Sequence, residues 1–72
     1  MPFETKKLLV TMVVHNYVLY EKSGINYQHY ALLNRQYVDN NDGVWSVNER
    51  GRKYVKRYCA DLLASLTRKV GD

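Results

Sequence analysis

Five basic side chains, Arg50, Arg52, Lys53, Lys56 and Arg57, fall within eight consecutive positions that contain no acid. Clustered guanidinium and ammonium groups suit contact with a polyanion, because each can neutralise a phosphate and release its counterion. The same run is also what an ordinary solvated helix face looks like. A second group lies upstream, at Gln28, His29, Asn34 and Arg35. It includes Gln, Asn and Arg, whose paired donors and acceptors match the edges of adenine and guanine. Such residues are equally common on helix surfaces that touch nothing. Tyr54 and Tyr58 interleave with the cations, as in Arg52-Lys53-Tyr54 and Lys56-Arg57-Tyr58. That pattern can stack on single-stranded bases. Tyrosines at the edge of a core, ring half-buried and hydroxyl in water, also give it, and that is the reading adopted.

Other chemistries find little support. His15, His29 and Cys59 are widely separated, with no short pair of metal-ligand spacing. There is no Gly-rich phosphate loop, no local nucleophile–base signature and no carboxylate pair on a helix face. Asp39 and Asp42 fall in a turn, where such side chains cap the backbone. His15 is read as a packed histidine, Cys59 as a small core side chain and Trp45 as core. The chain is therefore expected to act by binding, without catalysis, metal or cofactor.

Size and composition agree with a binding module. Seventy-two residues make one domain, residues 1–72, near the lower limit for folding without staples. A hydrophobic content of 46% supplies one modest core and too little material for a deep substrate cavity as well. Marginal stability leaves room for a homodimer. The net charge of +4 is unevenly spread: residues 1–36 carry four basic and two acidic side chains, residues 37–72 seven and five. Cys59 is alone, so no internal disulfide forms. The first residues lack a signal pattern, and no apolar run is long enough for a bilayer. The expected setting is the cytoplasm, with no membrane partner.

These side chains need elements to hold them. Lys6 to Lys22 is apolar around most of its circumference and too long for one strand, so it predicts a helix capped by Thr5 and stopped at Ser23-Gly24. Such a helix is either central, contacted on several sides, or the seam of a homodimer. Asn26 caps a second, short helix over 26–35; Tyr30, Leu33 and, just beyond its end, Tyr37 fall at three- and four-residue spacing. Tyr37-Val38 and Val44-Trp45-Ser46-Val47 flank Asp39-Asn40-Asn41-Asp42-Gly43, which predicts a β-hairpin within residues 36–47. Asn48 then caps a long last helix opening on Glu49. Val55, Tyr58, Cys59, Leu62, Leu63 and Leu66 form its apolar arc, and the cations lie nearly opposite. Arg68 and Lys69 suit its C-terminal dipole.

The run from Gly43 to Val55 resembles the end of many bacterial and phage winged-helix domains. There a wing strand leads into a cap residue, a charged pair, a glycine and a long helix. Asn48 stands where that pattern has Thr, and Gly51 where it has glycine. The match covers 13 of the 72 residues, under a fifth of the chain. The resemblance implies a winged helix-turn-helix fold and a DNA-binding, transcription-regulating role, in a chain of the size of a phage-encoded accessory protein. The family places three helices before the wing, the third in the major groove, whereas two segments fit here. Either the first helix is missing and residues 26–35 read DNA, or the reading helix has been lost.

The expected fold is thus α+β, a small winged-helix-like domain ordered helix, helix, β-hairpin, long C-terminal helix. The expected partner is double-stranded DNA, contacted by Gln28, His29, Asn34, Arg35, Arg50, Lys53, Lys56 and Arg57. The acids of the turn argue against a wing tip on phosphate. They favour the other reading, an inhibitor or adaptor docking on an acidic protein partner in a host machine such as a polymerase or nuclease complex. The surplus of tyrosine supports that reading too, since Tyr, Trp and Arg populate interface hot spots.

Overall fold

A computed structural model describes the backbone of residues 1–71 and the side chains of residues 1–66. The side chains of Arg68 and Lys69 lie outside the described residues. The first helix, α1, spans Phe3–His15, with Glu4 in its first turn, favourable to the dipole; His15, expected to be packed, is exposed in its last turn. It begins before and ends well short of the expected Lys6–Lys22. Thr5 does not cap it; it is fully buried in the first turn. The stop is Asn16, at φ 50, one of the few non-glycine types that tolerate the left-handed region. The β-type residues that follow are drawn into a sheet. Leu19–Tyr20 forms strand β1, paired with a segment far along the chain. A 3₁₀ turn, Glu21–Ser23, and Gly24 at φ 99 then redirect the backbone.

Helix α2, Tyr27–Asn34, starts where Asn26 predicts. The Asn26 carboxamide oxygen accepts the amides of Gln28 and His29, and Nδ1 of His29 accepts the Asn26 amide at 3.1 Å. This is a reciprocal capping box with histidine in the place usual for Glu or Gln. The hairpin also forms as expected, from β2, Val38–Asn41, and β3, Val44–Val47. Asp42 and Gly43 both take positive φ, the geometry that matches the twist of a two-residue hairpin. The Asn40 carboxamide oxygen secures the turn by accepting the Gly43 amide. With β1 on the other side of β3, the sheet is three-stranded, antiparallel and ordered β1-β3-β2.

Asn48 caps α3, Glu49–Tyr58, by accepting the Gly51 amide at 2.9 Å. Its own amide group donates to the Gln36 carbonyl and to Asp39, tying the helix start to the hairpin. The expected single long helix is in fact two. Cys59, at φ −125, interrupts it before α4, Ala60–Gly71. Both parts pack on α1, which the change of direction permits. Tyr58, expected on the apolar arc, is 63% exposed, because the arc of α3 runs through Gly51 and Val55 to Cys59. Leu62, Leu63 and Leu66 pack half-buried against the core from α4.

The core joins Leu9, Val10 and Met12 of α1 to Leu32, Val38, Trp45, Val47, Val55 and Cys59, with Leu19 at its edge. Helix α1 is the centre, touching α2, α3, α4 and β3, so its apolar circumference is met within the same chain. Trp45 is buried as expected, with Tyr30 edge-on to its ring. Among the described residues, Thr5 Oγ1 and Trp45 Nε1 are buried without a hydrogen-bond partner.

Candidate nucleic-acid interface

Helix α3 points its small residues inward. A Cβ on Gly51 would lie 2.4 Å from the Tyr37 carbonyl oxygen and 2.7 Å from Cγ2 of Val47, so only glycine lets the helix seat this closely. Val55, one turn later, is fully buried on the same side. At about 100° per residue, Arg50, Lys53, Lys56 and Arg57 are then carried to the opposite side, and all four are exposed. The structure brings these four expected residues together on one helix.

Most of that charge is not neutralised internally. Among the described residues the one ion pair is Lys53 with Glu49, at 3.5 Å, and both partners are highly exposed. Such a pair contributes little and yields readily to a phosphate. Arg50 donates to the Gln36 carboxamide oxygen at 3.2 Å, a neutral partner that positions the guanidinium without discharging it. Arg52, on the flank, reaches the Val47 carbonyl. Arg57 lies over the Tyr58 ring, 5.7 Å from its centroid.

Beside the basic face runs a row of rings. Tyr37 and Tyr54 have centroids 4.6 Å apart, and Tyr54 and Tyr58 5.1 Å apart. Burial pushes the Tyr54 phenol above its ordinary value; Cys59, Tyr37 and Tyr58 add to the shift and Arg35 opposes it. Arg35, at the end of α2, therefore sits within electrostatic reach of the same strip. Burial also raises the pKa of the Cys59 thiol, partly offset by Lys6.

The four residues expected on α2 do not share a face. His29 is buried, 8% exposed, because it stands three residues before Leu32 and turns with it into the core. Its Nδ1 is occupied by the capping box, which gives the ring a structural role at the start of α2. Burial lowers its pKa. Gln28 is half-buried on one flank, while Asn34 and Arg35 are exposed. The outward face of α2 belongs instead to Tyr27, 74% exposed, and Tyr30, which together with Asn34 and Arg35 line a shallow groove ending at Met1 and Pro2. Tyr30 was expected on the apolar side; Leu32 and His29 take that side.

The hairpin tip has the opposite charge. Asp42 occupies the turn, and Glu21, beside Gly43, and Lys22 line the same pocket, two acids to one base. The domain therefore carries acid at the tip of the sheet and base along α3. No three His, Cys, Asp or Glu side chains cluster to hold a metal among the described residues. No helix among them is long and apolar enough to cross a membrane. Comparison with protein-family models, with curated proteins and with solved structures finds no match to this chain. Fold and surface together define a small α+β domain with four helices, a three-stranded antiparallel sheet and a basic helix face.

Proposed function

We propose that this domain is a DNA-binding regulatory protein of winged-helix type, gripping duplex phosphates with Arg50, Lys53, Lys56 and Arg57. The observation that carries the reading is the face of α3: four exposed cations opposite a buried Gly51–Val55 edge, with a single weak ion pair to them among the described residues. Arg35, exposed at the end of α2, adds a further cation, and Asn34 is the exposed side chain there best suited to a base edge. The order helix, strand, helix, hairpin, helix, helix, with β1 outside β3, is what this reading draws on. Asp42 and Glu21 disfavour phosphate at the hairpin tip, so docking runs through α3 and not through the wing.

The test is an anisotropy titration of a random-sequence duplex with wild type and with Lys53→Glu/Arg57→Glu. The double variant folds as wild type, because both side chains are exposed, and its affinity falls for all sequences alike. Equal affinity of the two proteins would refute the assignment of the face.

A second reading rests on the other exposed surface. Tyr27, Tyr30 and Arg35 around one groove have the composition of a protein-binding hot spot, as expected of an adaptor docking on a host machine. On that reading Tyr27→Ala weakens binding to a protein partner, and charge reversal on α3 does not.

A further inference from the structure

The basic face of α3 does not simply end at its C-terminus. Where the chain breaks at Cys59, a groove opens between the start of α1 and the α3–α4 junction, with a volume of 340 Å³. Its walls include Phe3 and Lys6 from α1, Arg57 and Tyr58 from α3, and Asp61 and Leu62 from α4. Phe3 and Tyr58 are 62% and 63% exposed, although both are large aromatic rings. Neither is needed for the core, whose aromatic member is Trp45. Two exposed rings from different elements, flanked by a lysine and an arginine, combine the features that take a planar base attached to a phosphate.

We propose that this groove receives an unpaired nucleotide, and that the domain therefore prefers duplex ends bearing a single-stranded extension to blunt duplex. The inference rests on the DNA-binding reading above. Arg57 supplies the continuity: it belongs to the phosphate-contacting face and, at the same time, to the groove wall. A strand whose phosphates follow Arg50, Lys53 and Arg57 along α3 arrives at the groove at the C-terminal end of that helix. A paired base cannot enter, because its faces are stacked within the duplex; an unpaired one can lie on Tyr58. Asp61 disfavours a phosphate inside, so the base enters while its phosphate stays with Lys6 and Arg57 at the rim. Tyr37 and Tyr54 continue the row of rings but are half-buried against each other, which leaves Tyr58 and Phe3 as the accessible platforms.

The experiment compares a labelled blunt duplex with the same duplex carrying a short single-stranded extension, by anisotropy at constant salt. Wild type is expected to bind the extended duplex about fivefold tighter or more, the effect of stacking one base on an aromatic ring. Tyr58→Leu should lose that preference while keeping its blunt-duplex affinity, and Tyr58→Phe should retain both. Equal affinity of wild type for the two duplexes overturns this proposal and leaves the DNA-binding reading intact. Absence of measurable binding to either duplex overturns both. A preference that survives Tyr58→Leu and Phe3→Leu overturns the groove as its source.

Discussion

Replacing Gly51 with alanine inverts the usual effect of that change. In the middle of an exposed helix, Gly→Ala stabilises by about 1 kcal/mol, since alanine restricts the unfolded chain and favours the helix. Here the new methyl would stand 2.4 Å from the Tyr37 carbonyl oxygen and 2.7 Å from Val47. Restoring ordinary contact requires α3 to retreat by about 1 Å. The same Tyr37 oxygen accepts the Asn48 amide at 3.1 Å, so the retreat strains the cap as well as the packing of Val55. Overpacking costs about 1–3 kcal/mol and a weakened hydrogen bond about 1 kcal/mol. Set against the helix gain, the net loss is about 1–3 kcal/mol, a fall in Tm of about 4–8 °C for each kcal/mol in a domain this small. Circular dichroism melts and urea titrations measure it. A variant that melts at or above wild type would show that α3 does not seat on the hairpin as described. The orientation of the basic face would then be in error.

Acid should loosen α2 through His29. The ring accepts the Asn26 amide in its neutral form, and burial lowers its pKa, so the unfolded chain binds the proton more readily. The contribution is full above about pH 6.5 and is lost as pH falls through the depressed folded value. His29→Gln, whose carboxamide oxygen can take the same place in the capping box, should flatten the stability–pH curve between pH 7 and pH 5, about the ordinary histidine range. An unchanged curve would contradict the role of the ring. Thr5→Val removes a buried hydroxyl without a partner at nearly constant volume, and is expected to stabilise the domain by up to about 1 kcal/mol in urea titrations. A loss of more than about 1 kcal/mol would mean that the hydroxyl has a partner in solution.

The legible parts of this fold are those written in local chemistry. Asn26 and Asn48 announce their helices, and Asp42-Gly43 its hairpin, because each acts on backbone groups within three residues of itself. The basic face of α3 was legible for the same reason, as a periodic pattern within one helix. Strand β1 was not. Leu19 and Tyr20 become a strand only because Trp45 and Val44 lie alongside, and nothing within the first helix-like run reveals that pairing. The break at Cys59 carries no glycine or proline; it follows from packing α3 and α4 on one central helix. The groove of Phe3 and Tyr58 depends on that break and was hidden with it. His29 could have been read correctly, since its spacing of three from Leu32 places it on the buried side of α2.

The central claim, that α3 presents its cations to phosphate, is tested most directly by the salt dependence of duplex binding. Four contacts, from Arg50, Lys53, Lys56 and Arg57, give a slope of log affinity against log salt of about −3.5, at about −0.9 per phosphate neutralised. In the Lys53→Glu/Arg57→Glu variant the slope should flatten to about −2 or less, the value for two remaining contacts. The absence of any measurable, salt-dependent affinity for duplex at low ionic strength would contradict the account.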